Sequence, residues 1–269
     1  KNFFKWKTRN LTNIPVWMTE FGWDTYLAPD NKHSYTYAPA QQQANYILRS
    51  YLILLKMGFE KAFMFMDTDN DSKNILQYSA SGLLADKNSK YNRKPSFFYL
   101  ATMQNILGQA ELVKAVDFKT VSGNNEIYCL EFRYPGRAEK VFAAWTRRIN
   151  SNTDEGAKTT YQLNPGYKPN FAYSVFPADF DLDGDTVNYT VTGQKIELSL
   201  TETPQFVVIS ENNTSTEIAP DKQFDLKICS NPAKAETLIS VTVPCRQKIK
   251  ISAFTPEGRL VKTFFDGTI

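Results

Sequence analysis

Histidine is nearly absent from this sequence. The single one, His33, leaves nothing from which to build a Ser-His-Asp set, and no His or Cys grouping has the spacing of metal ligands, so neither a metal nor a cofactor is expected. Cysteine is scarce too: Cys129, Cys229 and Cys245 are too few for a disulfide framework, and only a Cys229–Cys245 bridge stays open. Charge of one sign is lacking. The 31 basic and 28 acidic residues nearly cancel to +3 with no long run of Lys or Arg, so the electrostatic footprint of a nucleic-acid binder is missing and a neutral polymer is the more natural partner. Long hydrophobic runs are also missing. The longest, around residues 51–55, falls far short of the roughly 20 residues that span a bilayer, which excludes a transmembrane helix. The chain opens on Lys1 without a signal-peptide pattern and ends in an apparent strand without a stop, so both ends are expected to be cut.

What remains is enough for a real core. The chain has 269 residues, 42% of them hydrophobic and 14% aromatic, a length for which two domains are a soft prior. Residues 14–19, with Val16 and Trp17, read as a strand buried on both faces. From Pro39 to Met57 the residues Ala44, Ile47, Leu48, Tyr51, Leu52 and Leu55 recur at helical spacing, with Gly58 suited to the C-cap. Residues 61–66 give a second buried strand, and Pro95 opens a second helix that ends at Gly108. This strand–helix–strand–helix order argues for a parallel sheet with crossover helices, either a barrel or an open doubly wound sheet.

After Gly108 short alternating strands with turn signals follow, at 126–133, 140–146, 186–192, 195–200 and 205–210, the signature of an antiparallel sandwich. Residues 212–220 read as a linker, and more alternating strands run from Phe224 to the end. The fold class is therefore α/β plus all-β, with domains at 1–109, 110–212 and 213–269.

Thr19-Glu20-Phe21-Gly22-Trp23-Asp24 stands at the end of the first strand, where a parallel barrel displays its catalytic groups. Pro15-Val16-Trp17-Met18-Thr19-Glu20-Phe21-Gly22 resembles the seventh-strand motif of clan A glycoside hydrolases. The resemblance implies a TIM barrel of which residues 1–109 are the last two β/α units, and a retaining mechanism with Glu20 as nucleophile. Lys94-Pro95-Ser96-Phe97-Phe98-Tyr99 resembles the start of the final barrel helix in such enzymes. Trp23 offers a flat face to a sugar, while Asp67 and His33 are candidates for binding its hydroxyls or lining a subsite; the carbohydrate substrate is unnamed.

A retaining site needs a second carboxyl about 5 Å away. In the clan it follows an asparagine on the fourth strand. The only Asn-Glu pair here, Asn125-Glu126, follows a turn into the sandwich, so the acid/base is expected outside this chain. Asp67, Asp69, Asn70 and Asp71 crowd the end of the second strand, where the clan often has a tryptophan. Asp179-Phe180-Asp181-Leu182-Asp183-Gly184-Asp185 resembles the opening of a calcium loop, but its twelfth position is Thr190, and a hairpin turn reads equally well.

Ser230-Asn231-Pro232-Ala233, Ile239-Ser240-Val241-Thr242-Val243-Pro244, Ile249-Lys250-Ile251-Ser252 and Gly258-Arg259-Leu260-Val261-Lys262 together resemble the C-terminal sorting domain of the type IX secretion system of Bacteroidota, a partial Ig-like sandwich. That likeness implies the secretion machinery as a partner and a secreted or cell-surface location. The rival reading is a non-catalytic glycan-binding or scaffold protein with a degenerate barrel.

Overall fold

In the computed structural model, residues 6–7, 9–10, 14–149, 155–210, 225–229, 238–242, 248–254 and 260–268 are described. The chain is mostly sheet with few helices. Strands β1 (Trp17–Phe21) and β2 (Lys61–Met64) pair in parallel, each followed by a helix: α1 (Ala40–Met57) and α2 (Pro95–Leu107). The first strand begins later than its apolar run, because Pro15 has no N–H to give a ladder; Val16 still accepts a bond from Glu60 N (2.9 Å). This shift carries Glu20 into the strand instead of leaving it beyond. Helix α1 starts after Pro39 and stops at Gly58, whose φ of 87° lets its N–H turn back to the carbonyls of Leu54 and Leu55.

A six-stranded antiparallel sheet follows, in the order β3 (Glu111–Ser122), β4 (Asn125–Arg133), β5 (Glu139–Arg148), β10 (Gln205–Ser210), β7 (Ala172–Phe176), β8 (Asp185–Tyr189). A separate pair, β6 (Lys158–Leu163) with β9 (Ile196–Thr201), covers one side of it. The middle strands do not alternate between core and solvent as a half-exposed sheet would. On β4, Tyr128, Leu130 and Phe132 face α1 and α2, where Leu48, Leu52, Tyr99 and Met103 meet them, while Ile127 and Cys129 face Leu198 and Leu200 of β9. Strands β5 and β10 divide the same way, with Val141, Ala143, Trp145, Phe206 and Val208 toward the helices and Phe142, Ala144, Val207 and Ile209 away from them. The layers are helices, large sheet, small sheet. Helices α1 and α2 thus share a core with β4, β5 and β10, and residues 1–213 form one compact unit.

Polar contacts fasten the layers further. Thr203 Oγ1 donates to Asn45 Oδ1 (2.8 Å), and Tyr134 OH donates to the carbonyl of Ile106. The acidic 179–185 segment is a turn strapped to α2: Asn105 Nδ2 donates to Leu182 O (3.1 Å) and Asp183 Oδ1 (3.2 Å), and Phe180 lies 5.5 Å from Phe98. At Gly184 (φ 79°) a Cβ would stand 2.5 Å from Phe176 O, so this turn needs glycine both for its conformation and for its close approach.

Residues 214–269 are the second unit. It contains two antiparallel pairs, β11 (Asp225–Cys229) with β12 (Leu238–Thr242), and β13 (Lys248–Phe254) with β14 (Leu260–Thr268). The 212–220 linker, the Ser230–Ala233 turn, Cys245 and therefore the Cys229–Cys245 bridge lie outside the described residues. Cys129 is a free, fully buried thiol whose pKa burial pushes up to about 12, which keeps it unreactive.

Because Leu130 sits between the helices and the large sheet, Leu130→Ala should cost about 2–5 kcal/mol. Its unfolding, followed by helical ellipticity and by the near-ultraviolet signal of Trp145, should remain a single coincident transition. Separate transitions would show that the helices and the sheet are independent.

Candidate active site

Strands β1 and β2 pair Trp17 with Lys61, Met18 with Ala62 and Phe21 with Met64, and the register slips by one residue between Met18 and Phe21. One face of the pair is packed: Phe21 meets Tyr51 of α1 edge-on at 5.1 Å. The other face is open, with Trp17 and Phe63 each 48% exposed, their rings 6.2 Å apart and Lys61 Nζ 4.7 Å above the Trp17 ring. Glu20 lies within the stretch where the register slips, next to Phe21, and it is exposed. At the C-terminal ends the strands stay together through Phe65 N donating to Phe21 O (2.8 Å). Gly22 permits this, since a Cβ there would run into the Phe65 carbonyl oxygen.

Two long loops rise from these ends, residues 22–39 after β1 and 65–94 after β2. Their interior is polar and fully engaged. Asp24, 1% exposed, accepts from Ser34 Oγ (2.7 Å) and Thr36 Oγ1 (2.7 Å) in its own loop and from Tyr78 N (2.9 Å) and Ala80 N (3.0 Å) in the other. Asp69, 5% exposed, accepts from Gly82 N (2.7 Å), Ser72 Oγ (2.7 Å) and Lys94 Nζ (2.7 Å). Lys94 also donates to Thr25 Oγ1 (2.9 Å) and Ala80 O (2.9 Å); burial lowers its pKa, and its bond to Asp69 opposes that. Buried Gln43 of α1 completes the network, donating to Trp23 O (2.9 Å) and Ser81 O (3.2 Å) and accepting from Ser96 Oγ of α2 (2.8 Å). The bonds of Asp24 to Tyr78 N and Ala80 N and of Lys94 to Thr25 run from loop to loop, and Gln43 ties both to the helix, which makes the mouth a fixed frame.

Glu20 and Asp67 both stand at the C-terminal end of the strand pair. Asp67 is exposed, its Oδ1 capping Thr68 N (2.8 Å) while its carbonyl accepts from Leu83 N and Leu84 N (both 2.9 Å). His33 is exposed on the first loop, stacked at 4.8 Å on Tyr37; its Nδ1 lies 2.8 Å from Ser34 O and so carries the proton, leaving Nε2 as an acceptor. The Trp23 ring lies 6.1 Å from Phe21 and 5.4 Å from Tyr46 of α1 and is half-buried.

The acidic cluster after β2 separates into roles, with Asp69 internal and Asp71 Oδ1 capping Lys73 N (2.9 Å). Asn125 and Glu126 open β4, bonded to Lys158 O (2.9 Å) and Tyr128 OH (2.7 Å), far along the chain from the parallel pair. Sequence reasoning missed Asp24, Gln43, Lys94 and Phe65. Phe65 is the aromatic at the end of β2, its ring 5.2 Å from Tyr78, and the apolar run of residues 61–66 contained it. Among the described residues no three His, Cys, Asp or Glu side chains converge as metal ligands, and no helix is long and apolar enough to cross a membrane.

No protein family and no curated protein matches the chain in sequence. Among solved structures it is similar to a GH30 endoxylanase from Clostridium papyrosolvens, at 14% identity and a TM-score of 0.46 over 77% of this chain and 44% of that one. It is similar to the catalytic domain of a GH30 xylanase from Talaromyces cellulolyticus (15%, 0.46, 75% and 42%) and to a xyloglucanase from Paenibacillus polymyxa (9%, 0.41, 77% and 34%). The chain spans less than half the length of each.

Lys94→Met leaves the Asp69 carboxylate buried without its cation and should cost about 3–5 kcal/mol in denaturant unfolding. A change under about 1 kcal/mol would show the pair to be dispensable. Backbone N–H groups of Ser72 and Ser89 hold Asp86 below the usual carboxylate range. A depressed carboxylate stabilises the fold above its unfolded-state pKa and loses that contribution as the pH falls through the folded-state value. The wild type should therefore lose stability as the pH drops below about 4, and Asp86→Asn should flatten that acid limb.

Proposed function

We propose that this chain carries the nucleophile side of a retaining glycoside hydrolase site, with residues 1–109 the last two β/α units of a barrel. The observation that supports it is the position of Glu20, an exposed carboxylate at the C-terminal end of a parallel strand from which a bonded loop rises. In this reading Glu20 attacks the anomeric carbon of a carbohydrate substrate and forms a glycosyl-enzyme ester as the leaving oxygen takes a proton from a second carboxylic acid. That acid then serves as base toward the water that releases the sugar. Asp67 and the Nε2 of His33 accept hydrogen bonds from sugar hydroxyls at the rim. The reaction needs no cofactor.

The acid/base comes from a strand outside this chain, since Glu126, in its only Asn-Glu pair, belongs to β4. Residues 213–269 act as a type IX sorting module, addressed by the secretion machinery and sending the protein to the medium or the cell surface. A non-catalytic glycan-binding surface protein is the competing outcome.

Absence of a general acid alone removes about 100-fold to 10,000-fold in rate, so this chain by itself should hydrolyse no glycoside appreciably, while the complete protein should do so with retention. In the complete protein Glu20→Gln, nearly isosteric, should melt like the wild type and form no glycosyl-enzyme. Wild-type turnover by that variant ends the nucleophile assignment, and an inverted first product ends the retaining one.

A further inference from the structure

Tyr35 is the most exposed of the large hydrophobic residues described, at 97%, yet it stands on one of the most tightly held stretches of the molecule. The residues on either side, Ser34 and Thr36, both give their hydroxyls to the buried carboxylate of Asp24 (2.7 Å each). The Thr36 carbonyl accepts from Asp24 N (3.1 Å), and the Ser34 carbonyl accepts from Tyr37 N (3.3 Å). The backbone beneath the ring is therefore fixed, and the ring is left in water, where an aromatic face is costly to hydrate. Phe180, the next most exposed at 85%, does pack, on Phe98.

We propose that Tyr35 is an outer platform for an extended neutral glycan, stacking its ring on the apolar face of a sugar as the polymer runs past the mouth of the strand pair. The proposal rests on reading that mouth as a glycosidase site. Tyr35 lies on the loop that leaves β1 directly after Glu20, at the same end of the parallel pair. The charged side chains nearest it in the loop sequence, Asp30 and Lys32, are paired with each other (2.7 Å), and its immediate neighbours Ser34 and Thr36 are neutral, which suits an uncharged polymer. The other exposed large apolar side chains on the two loops, Leu27 at 43%, Ile75 at 40%, Leu76 at 66% and Tyr91 at 55%, stand as short interruptions among polar residues. A stable protein interface would need about 800 Å² per partner around a desolvated centre. A sugar chain needs only single rings at intervals.

The test is electrophoresis of the present chain through gels containing soluble xylan, xyloglucan or mixed-linkage β-glucan, beside Tyr35→Ala and Tyr35→Phe. At least one polymer should retard the wild type. Tyr35→Ala should weaken that retention about three- to tenfold with unchanged melting, while Tyr35→Phe should bind like the wild type. Retardation by none of the polymers, or equal retention of wild type and Tyr35→Ala, overturns the platform. The two readings fail separately. Tyr35-independent retention with hydrolysis abolished by Glu20→Gln in the complete protein sinks the platform alone, whereas Tyr35-dependent retention with no hydrolysis by the complete protein sinks the glycosidase reading alone.

Discussion

Strands β4, β5 and β10 must bury both of their faces, and the rest of residues 1–213 is arranged to meet that demand. Tyr128 and Trp145 show how it is met on one side: cross-strand partners, 1% and 0% exposed, their rings stacked at 4.8 Å and 8°. Fully burying a large apolar side chain is worth about 1.5–3 kcal/mol, so leaving the helix-side set of these three strands in water would forfeit more than a domain's whole margin of stability. Helices α1 and α2 cover that face, and β6 and β9 cover the other. The helices in turn have a second face to fill, which the β1/β2 pair packs against through Phe21 and Tyr51. The position of the strand pair is thus fixed from behind, through the helices, by a sheet that comes later in the chain.

In front of the pair the material changes. Above the strand ends the interior is built from Asp24, Asp69, Lys94 and Gln43, all buried or nearly so, and every one of their bonds has a defined partner. Such a network costs desolvation that an apolar core would avoid, and it is stable only when complete. In return it specifies geometry. A carboxylate that accepts two backbone N–H groups from one loop and two hydroxyls from the other fixes the spacing of those loops far more narrowly than apolar contact does. Rigid apolar packing behind and directional polar bonding in front place the Glu20 backbone between two fixed layers.

How much of this the sequence disclosed follows the same division. Helix α1 was legible over its full length because Ala44, Ile47, Leu48 and Leu52 repeat at helical spacing and Gly58 ends it. Strand β10 was legible to the residue, since Phe206 to Ile209 is one unbroken apolar run. Strand β3 was not, because its register shifts three times and Lys114, Asp117 and Lys119 break the pattern. Strand β6 reads Lys-Thr-Thr-Tyr-Gln-Leu, with only Leu163 fully buried. The packing of the helices on the large sheet was legible only as a short join after Gly108, since periodicity reports that a face is apolar and not what covers it. At the candidate site, the strand-end position of Glu20 was legible from its motif. Asp24 stands in the same motif, but a buried, four-times-bonded aspartate and a solvated one are the same letter. The packing of Trp23 was not legible for the complementary reason: its apolar ring suits a sugar and a helix equally, and periodicity does not reveal its contact with Tyr46.

The open face of β1 and β2 bears on how self-sufficient the mouth is. Among the described residues the parallel pair is two-stranded with Trp17 and Phe63 half-exposed, whereas parallel strands are ordinarily buried on both sides. The loops above it are bonded among themselves. Each bond that organises them, from Asp24 to Ser34, Thr36, Tyr78 and Ala80, from Asp69 to Ser72, Gly82 and Lys94, and from Gln43 to Trp23, Ser81 and Ser96, begins and ends between Trp23 and Ser96. The loop frame at the strand ends is therefore made locally, from residues of the two β/loop/α units.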